Sequence, residues 1–178
     1  MNPIDILYHY YAPASRLFRL LLEHSQQVRE KAVQLAVRHP ELRVDLPFVR
    51  EAAMLHDIGI FLTHAPSIEC RGEMPYVCHG YLGADLLRAE GLPRHALVCE
   101  RHTGAGISLS TIREKKLPLP EREMIPLSIE EQLICFSDKF FSKTRPGEEK
   151  TVEDIRREIA PFGEESVARL EKWCHLFS

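Results

Sequence analysis

The sequence predicts an all-α fold, and three observations carry the prediction. Apolar residues recur at three- and four-residue steps through most of the chain, capping residues stand where those runs begin, and no stretch sustains period-two alternation. No strand is therefore expected. The 178 residues suffice for one domain to bury a core without disulfides or a structural metal. No internal repeat, low-complexity tract or linker divides them. A single domain over 1–178 is expected, with its core at about 16–145 and the helices of 151–177 packed on it.

From Arg16 to His39, residues Leu17, Leu20, Leu21, His24, Val28, Ala32, Leu35 and Ala36 share one helical face. His24 lies in that apolar stripe, away from Arg29, Glu30 and Lys31. A lone histidine there is more often a hydrogen-bonded core residue than a ligand. Asp45 before Leu46-Pro47 is a good N-cap, and its helix runs through Val49, Ala52, Ala53 and Leu55 into His56-Asp57, where Gly59 can end it. Thr63 to Tyr76 has no apolar period and reads as an ordered loop, a length that often serves function.

His79 opens a helix carrying Leu82, Ala84, Leu86 and Leu87, closed by Gly91. Pro93 starts the next, with Ala96, Leu97 and Val98 leading to Arg101-His102 before Thr103-Gly104-Ala105-Gly106 breaks it. The segment to Ser128, with Pro118, Pro120 and Pro126, reads as irregular and surface-lying. Ser128-Ile129-Glu130-Glu131 is a capping box for a helix containing Leu133, Ile134, Phe136 and Asp138. After the polar turn Thr144–Gly147, Thr151 with Asp154 makes a weaker cap for a helix to Ala160. The last helix, Glu164 to Phe177, sets Val167, Leu170, Trp173 and Cys174 on one face.

Composition narrows the partners. A hydrophobic fraction of 44% and a charged fraction of 28% are those of an ordinary soluble protein. The net charge of −3 gives no reason to expect nucleic acid or an anionic membrane, although a locally positive pocket stays open. Five cysteines with no C-x-x-C pair argue against a disulfide scaffold and a zinc knuckle. They fit a cytoplasmic location, as does a start without a basic n-region or a long apolar stretch. No run approaches the length of a membrane span.

The organising stretch is Met54-Leu55-His56-Asp57-Ile58-Gly59. An imidazole and a carboxylate follow an apolar run directly, a poor place for a charged aspartate unless it is paired or bound to a cation. His24, His56, Asp57, His79, His102 and Asp138 all lie on or at the ends of expected helices. Left unsatisfied inside a bundle, each would cost several kcal/mol. A metal centre removes that difficulty. Imidazoles with aspartates suit divalent iron, manganese, zinc, nickel or cobalt rather than calcium or magnesium.

The order His24 … His56-Asp57 … Asp138, with Ile58-Gly59 after the dyad, resembles the all-helical HD superfamily of metal-dependent phosphohydrolases. His79 and His102 resemble the additional ligands of its dinuclear branch. His79-Gly80-Tyr81-Leu82-Gly83-Ala84, Arg101-His102-Thr103-Gly104 and Ser137-Asp138 followed by Arg145 are similar to the bacterial HD-domain hydrolases that cut diadenosine tetraphosphate symmetrically. The resemblance runs from about His24 to Arg145. Asp138-Lys139-Phe140-Phe141 and an insertion over Leu117–Leu127 depart from those hydrolases in ways that could reshape the pocket, and the Gly-Tyr-Pro signature of cyclic-di-GMP phosphodiesterases is missing.

The resemblance implies a helical bundle with a dinuclear site between helices. One divalent ion would be held by His24, His56, Asp57 and Asp138, and the second by the bridging Asp57 with His79 and His102. A water between two such cations is a nucleophile near neutral pH. The reaction expected is hydrolysis of a phosphoester or phosphoanhydride in a nucleotide or similar small substrate. Arg145 is the first candidate for a phosphate clamp, with Lys139 and Arg101 second; each reads equally as a solvated surface cation. His64 is a candidate proton donor to a leaving group, against the plainer reading of a solvent-facing loop histidine. Arg71, in the same loop, would reach the pocket only if that loop folded over it. Two other function classes stay open: a mixed-valent di-iron oxygenase of the same superfamily, and a non-catalytic nucleotide-binding module. The metal, the substrate and the oligomeric state are left open.

Overall fold

The structure, a computed structural model, describes residues 1–177. Its helices are α1 (Pro3–Tyr10), α2 (Arg16–Arg38), α3 (Leu46–Leu55), α4 (His79–Ala89), α5 (Pro93–Arg101), α6 (Leu109–Glu114), α7 (Ile129–Asp138), α8 (Val152–Ile159) and α9 (Glu164–Phe177). The all-α expectation holds. The long α2 is the axis: α3 and α7 pack along it, and α4 pairs with α5 as a helical hairpin.

The apolar positions sort into two clusters. Val28, Ala32 and Leu35 of α2 join Val49, Ala52, Leu133, Phe136, Ile155 and Trp173 in one. Phe18 and Leu21 of α2 join Leu7, Leu55, Ile58, Ala84, Leu87 and Cys99 in the other. His24 lies on α2 between the residues given to each cluster, and His56-Asp57 follows the point where α3 crosses from one to the other. The polar residues of interest therefore lie at the seam between two apolar masses, buried but not embedded in either.

Caps act largely where the residues indicate. Asp45 accepts a hydrogen bond from the Phe48 amide at 3.1 Å, and Ser128 from the Glu131 amide at 3.1 Å. The box at Ser128 is half made, because the Glu131 carboxylate accepts from the Leu127 amide at 2.9 Å instead. Thr151 and Asp154, the weaker expectation, form the complete reciprocal box.

Three expectations need correcting, and one helix is added. Thr63–Ala65 (β1), Cys70–Arg71 (β2) and Met74–Pro75 (β3) form a sheet in the order β2-β1-β3, β1 antiparallel to β2 and parallel to β3. Strands of two or three residues are too short to display alternation, yet they satisfy backbone groups that would otherwise be stranded. The segment between His102 and Ser128 is not simply irregular. It contains α6 and pairs Ile107 with Met124, and it buries Ile112 and Met124. The N-terminal stretch, for which no element is expected above, is helix α1, capped by Asn2. Gly59 does not terminate α3, which ends at Leu55. Gly59 has an ordinary φ of −83°, and its role is close approach. A Cβ there would stand 2.3 Å from the His79 carbonyl oxygen and 2.5 Å from the Gly83 nitrogen.

Candidate metal centre

Five segments deliver six side chains to one point. His24 comes from the middle of α2, His56 and Asp57 from the C-terminal end of α3, His79 from the first residue of α4, His102 from just past α5, and Asp138 from the last residue of α7. All but Asp138 are at most 4% exposed, and the Asp138 side chain is 12% exposed. His24 Nε2 lies 3.2 Å from Asp57 Oδ2 and 2.9 Å from Asp138 Oδ1, and His56 Nε2 lies 3.1 and 3.4 Å from the same two atoms. His79 Nε2 and His102 Nε2 each lie 3.3 Å from Asp57 Oδ1. The two oxygens of Asp57 thus face different histidine pairs.

The second ring nitrogens explain how these imidazoles are aimed. The Nδ1–H of His56, His79 and His102 donates to the carbonyl three residues back, Ala53, Tyr76 and Cys99, at 2.7, 2.6 and 2.7 Å. Each residue sits at a helix terminus, where carbonyls or turns offer such an acceptor. The bond turns Nε2 inward and, in the neutral ring, leaves it as a lone pair. His79 Nε2 then faces His102 Nε2 at 3.0 Å and both face a carboxylate oxygen, so acceptors confront acceptors. His56 Nε2 and both Asp57 oxygens are buried without a hydrogen-bond partner. A cation among them turns repulsion into ligation. The residues fit divalent ions in two groups, His24-His56-Asp57-Asp138 and Asp57-His79-His102, the ligand atoms of each lying within 4.8 Å of one another.

Protonation follows the same geometry. Burial holds His79 down at about 3 and lowers His102, in spite of the Asp57 carboxylate beside them. Burial also opposes the charge of His56, but Asp57 and Asp138 outweigh it and raise it to about 9. Asp57 is held well below the usual carboxylate range: burial opposes its charge, and Lys143 and His56 overcome that.

The cationic and proton-donor candidates separate. Lys139 is in the site, donating to Asp138 Oδ2 at 2.7 Å and to the His102 carbonyl at 3.1 Å. Arg101 is tied to Glu131 at 2.9 Å. Arg145 is 61% exposed and lines a different cavity with Glu148, Glu149 and Asp154. His64 is exposed on β1, and Arg71 points to solvent beside Glu69. Neither lines the opening over the centre. That opening, a cavity of about 280 Å³, is lined by residues including His24, Asp138, Tyr76, Ser142, Lys143 and Thr144. No residue of Leu117–Leu127 lines it.

Lys143 escapes the sequence reading, and Tyr76 stands out there only as one of several aromatics flanking the motifs. Lys143 brings Nζ to 2.5 Å from Asp57 Oδ2, and Tyr76 stacks on the His79 ring with centroids 4.6 Å apart. Lys143 belongs to a polar turn five residues after Asp138, where no periodicity indicates which way a side chain reaches. Tyr76 opens a short turn before α4 and has no pattern either.

Imidazoles and aspartates converging in the seam of a helical bundle define a candidate metalloprotein with its cations between helices. A sequence model of the HD domain matches residues 21–143, and the chain belongs to the HD domain family. The chain is 31% identical over 172 residues to the tRNA (cytidine(56)-2'-O)-methyltransferase of Thermoplasma volcanium, a match covering 96% of this chain and 45% of that protein. It is 34% identical over 128 residues to an uncharacterized protein of Methanocaldococcus jannaschii, covering 70% of this chain and 68% of the relative. A second tRNA (cytidine(56)-2'-O)-methyltransferase, of Picrophilus torridus, matches at 31% over 127 residues, 33% of its length. The chain thus spans less than half the length of these methyltransferases. The HD domain of L. monocytogenes phosphodiesterase PgpH superposes with a TM-score of 0.55 over 96% of this chain and 94% of that one, at 17% identity, a likeness of fold. No helix among the described residues is long and apolar enough to cross a membrane.

Proposed function

We propose that this chain is a metal-dependent phosphohydrolase, acting on a nucleotide or a similarly small phosphorylated compound with two divalent cations. The observation that carries the reading is Asp57, whose two oxygens face separate histidine pairs beneath an open cavity. His24, His56 and Asp138 would hold one cation with Asp57, and His79 and His102 the other. Bound there, the cations supply hydroxide from water near neutral pH and offset charge on phosphoryl oxygens.

The chain's own residues do the positioning. Main-chain carbonyls keep three imidazoles aimed, Tyr76 holds the plane of His79, and Lys139 orients Asp138. The small cavity suits a mononucleotide or a pyrophosphate group better than a folded polymer. His64 and Arg145 receive no role, because both stand outside that lining.

Methyl transfer belongs to proteins more than twice the length of this chain. Their names, which mention tRNA and cytidine, make cytidine nucleotides a sensible part of a substrate panel. Diadenosine tetraphosphate belongs there too. Protein supplied with iron, manganese or cobalt should release phosphate or a nucleotide from a member of that panel, and His56→Ala and Asp57→Ala should each abolish the release. Turnover persisting in both variants would defeat the proposal.

A further inference from the structure

We propose that Lys143 recognises the anionic group of the substrate, and that its ammonium rests on Asp57 until cations claim that carboxylate. The first half rests on the phosphohydrolase reading; the second does not.

Lys143 is the only lysine or arginine lining the cavity over the centre, among the described residues. The other cations near it are already engaged. Lys139 spends its donors on Asp138 and the His102 carbonyl, Arg101 is paired with Glu131, and Arg145 lines another cavity among acidic residues. Lys143 is 11% exposed, with Nζ 2.5 Å from Asp57 Oδ2. That oxygen still has no aligned hydrogen-bond donor, so the two form an ion pair without hydrogen-bonding geometry.

Such a pairing is exchangeable. Asp57 is the carboxylate common to both candidate cation groups, so an ammonium resting on it competes with whatever cation binds there. Like charges a few ångströms apart repel, and the flexible four-carbon stem lets the amine swing without a backbone change. The same cavity is lined by Ser67, Ser142 and Thr144, the last two with their hydroxyls 2.8 Å apart, a polar wall suited to an anion rather than to an apolar group. An ammonium released into that space is a point-charge anchor for a phosphate oxygen. A purely structural counter-ion to Asp57 would behave differently, because it would not respond to phosphate.

The test compares wild type, Lys143→Met and Lys143→Arg. Inorganic phosphate binding to manganese-loaded protein is measured by calorimetry, and manganese binding to chelator-stripped protein by titration. Lys143→Met should lose at least about tenfold in phosphate affinity, the size expected for one hydrogen bond to a charged group. It should also bind manganese more tightly than wild type, because no ammonium must be displaced. Lys143→Arg should retain most of the phosphate affinity. Phosphate binding by Lys143→Met within about twofold of wild type would overturn the proposal.

Amine labelling of wild-type protein, read by mass spectrometry, makes the test independent of variant folding. Lys143 should be protected in stripped protein, reactive with manganese bound, and protected again by phosphate. Labelling that ignores manganese would overturn the competition with cations. Wild-type protein that takes up manganese but no phosphate would overturn the phosphohydrolase reading instead.

Discussion

Single residues decide this site, and they differ in how far the sequence exposes them. The six candidate ligands are legible jointly: His56, Asp57, His102 and Asp138 interrupt or end apolar runs, His24 lies within one and His79 opens one, and five helices cannot all bury such groups without a shared partner. Lys143 is not, since its contact with Asp57 depends on the path of a turn. Arg145, only two residues further along the same turn, points elsewhere for the same reason. His79→Ala or His102→Ala should reduce the metal content of chelator-free protein from about two ions per chain to about one, with affinity falling at least about tenfold at the damaged position, read by elemental analysis. Gly59→Ala should be more damaging than its size suggests. Its methyl group would meet backbone of α4 at both the His79 carbonyl and the Gly83 nitrogen, and backbone cannot yield as a side chain does. A loss of about 1–3 kcal/mol in denaturant stability is expected, together with weaker metal uptake because His79 is displaced.

At the scale of elements, long amphipathic helices were readable and short pieces were not. The 23-residue α2 carries six turns of apolar repetition, whereas the six-residue α6 carries too few to register. α1 shows why short does not mean idle: the Tyr11 hydroxyl that follows it donates to the Ile58 carbonyl at 2.7 Å, directly beyond the dyad. The caps yield separate predictions. Ser128→Ala should cost about 1 kcal/mol by removing the acceptor for the Glu131 amide at the start of the helix bearing Asp138. Asp154 is held at about 2 by hydrogen bonds from Thr151 and then by Arg157, against 3.8 unperturbed. A depressed carboxylate contributes stability above its unfolded value and loses it as pH falls through its folded one. The start of α8 should therefore fray between about pH 4 and pH 2, and Asp154→Asn should flatten that part of an acid melt followed by circular dichroism.

The whole molecule is two apolar clusters joined by a polar seam, a division that no single run of sequence displays because α2 contributes to both. Its dominant anchor on one side is Trp173, 1% exposed and donating to Gln132 at 3.1 Å. Cations in the seam would fasten the two halves together, so chelation should lower thermal stability. At a metal concentration of one hundred dissociation constants the stabilisation is about 2.7 kcal/mol, a fall in midpoint of roughly 5–10 °C on stripping, measurable by calorimetry. The divided allegiance of Asp57 has a further consequence. A carboxylate whose two oxygens serve different histidine pairs makes the pairs thermodynamically linked: filling one alters the charge and orientation offered to the other, by the same factor in either direction. Titration with a single metal should trace two unequal steps, and a lesion on the His79 side should change the affinity measured on the His24 side.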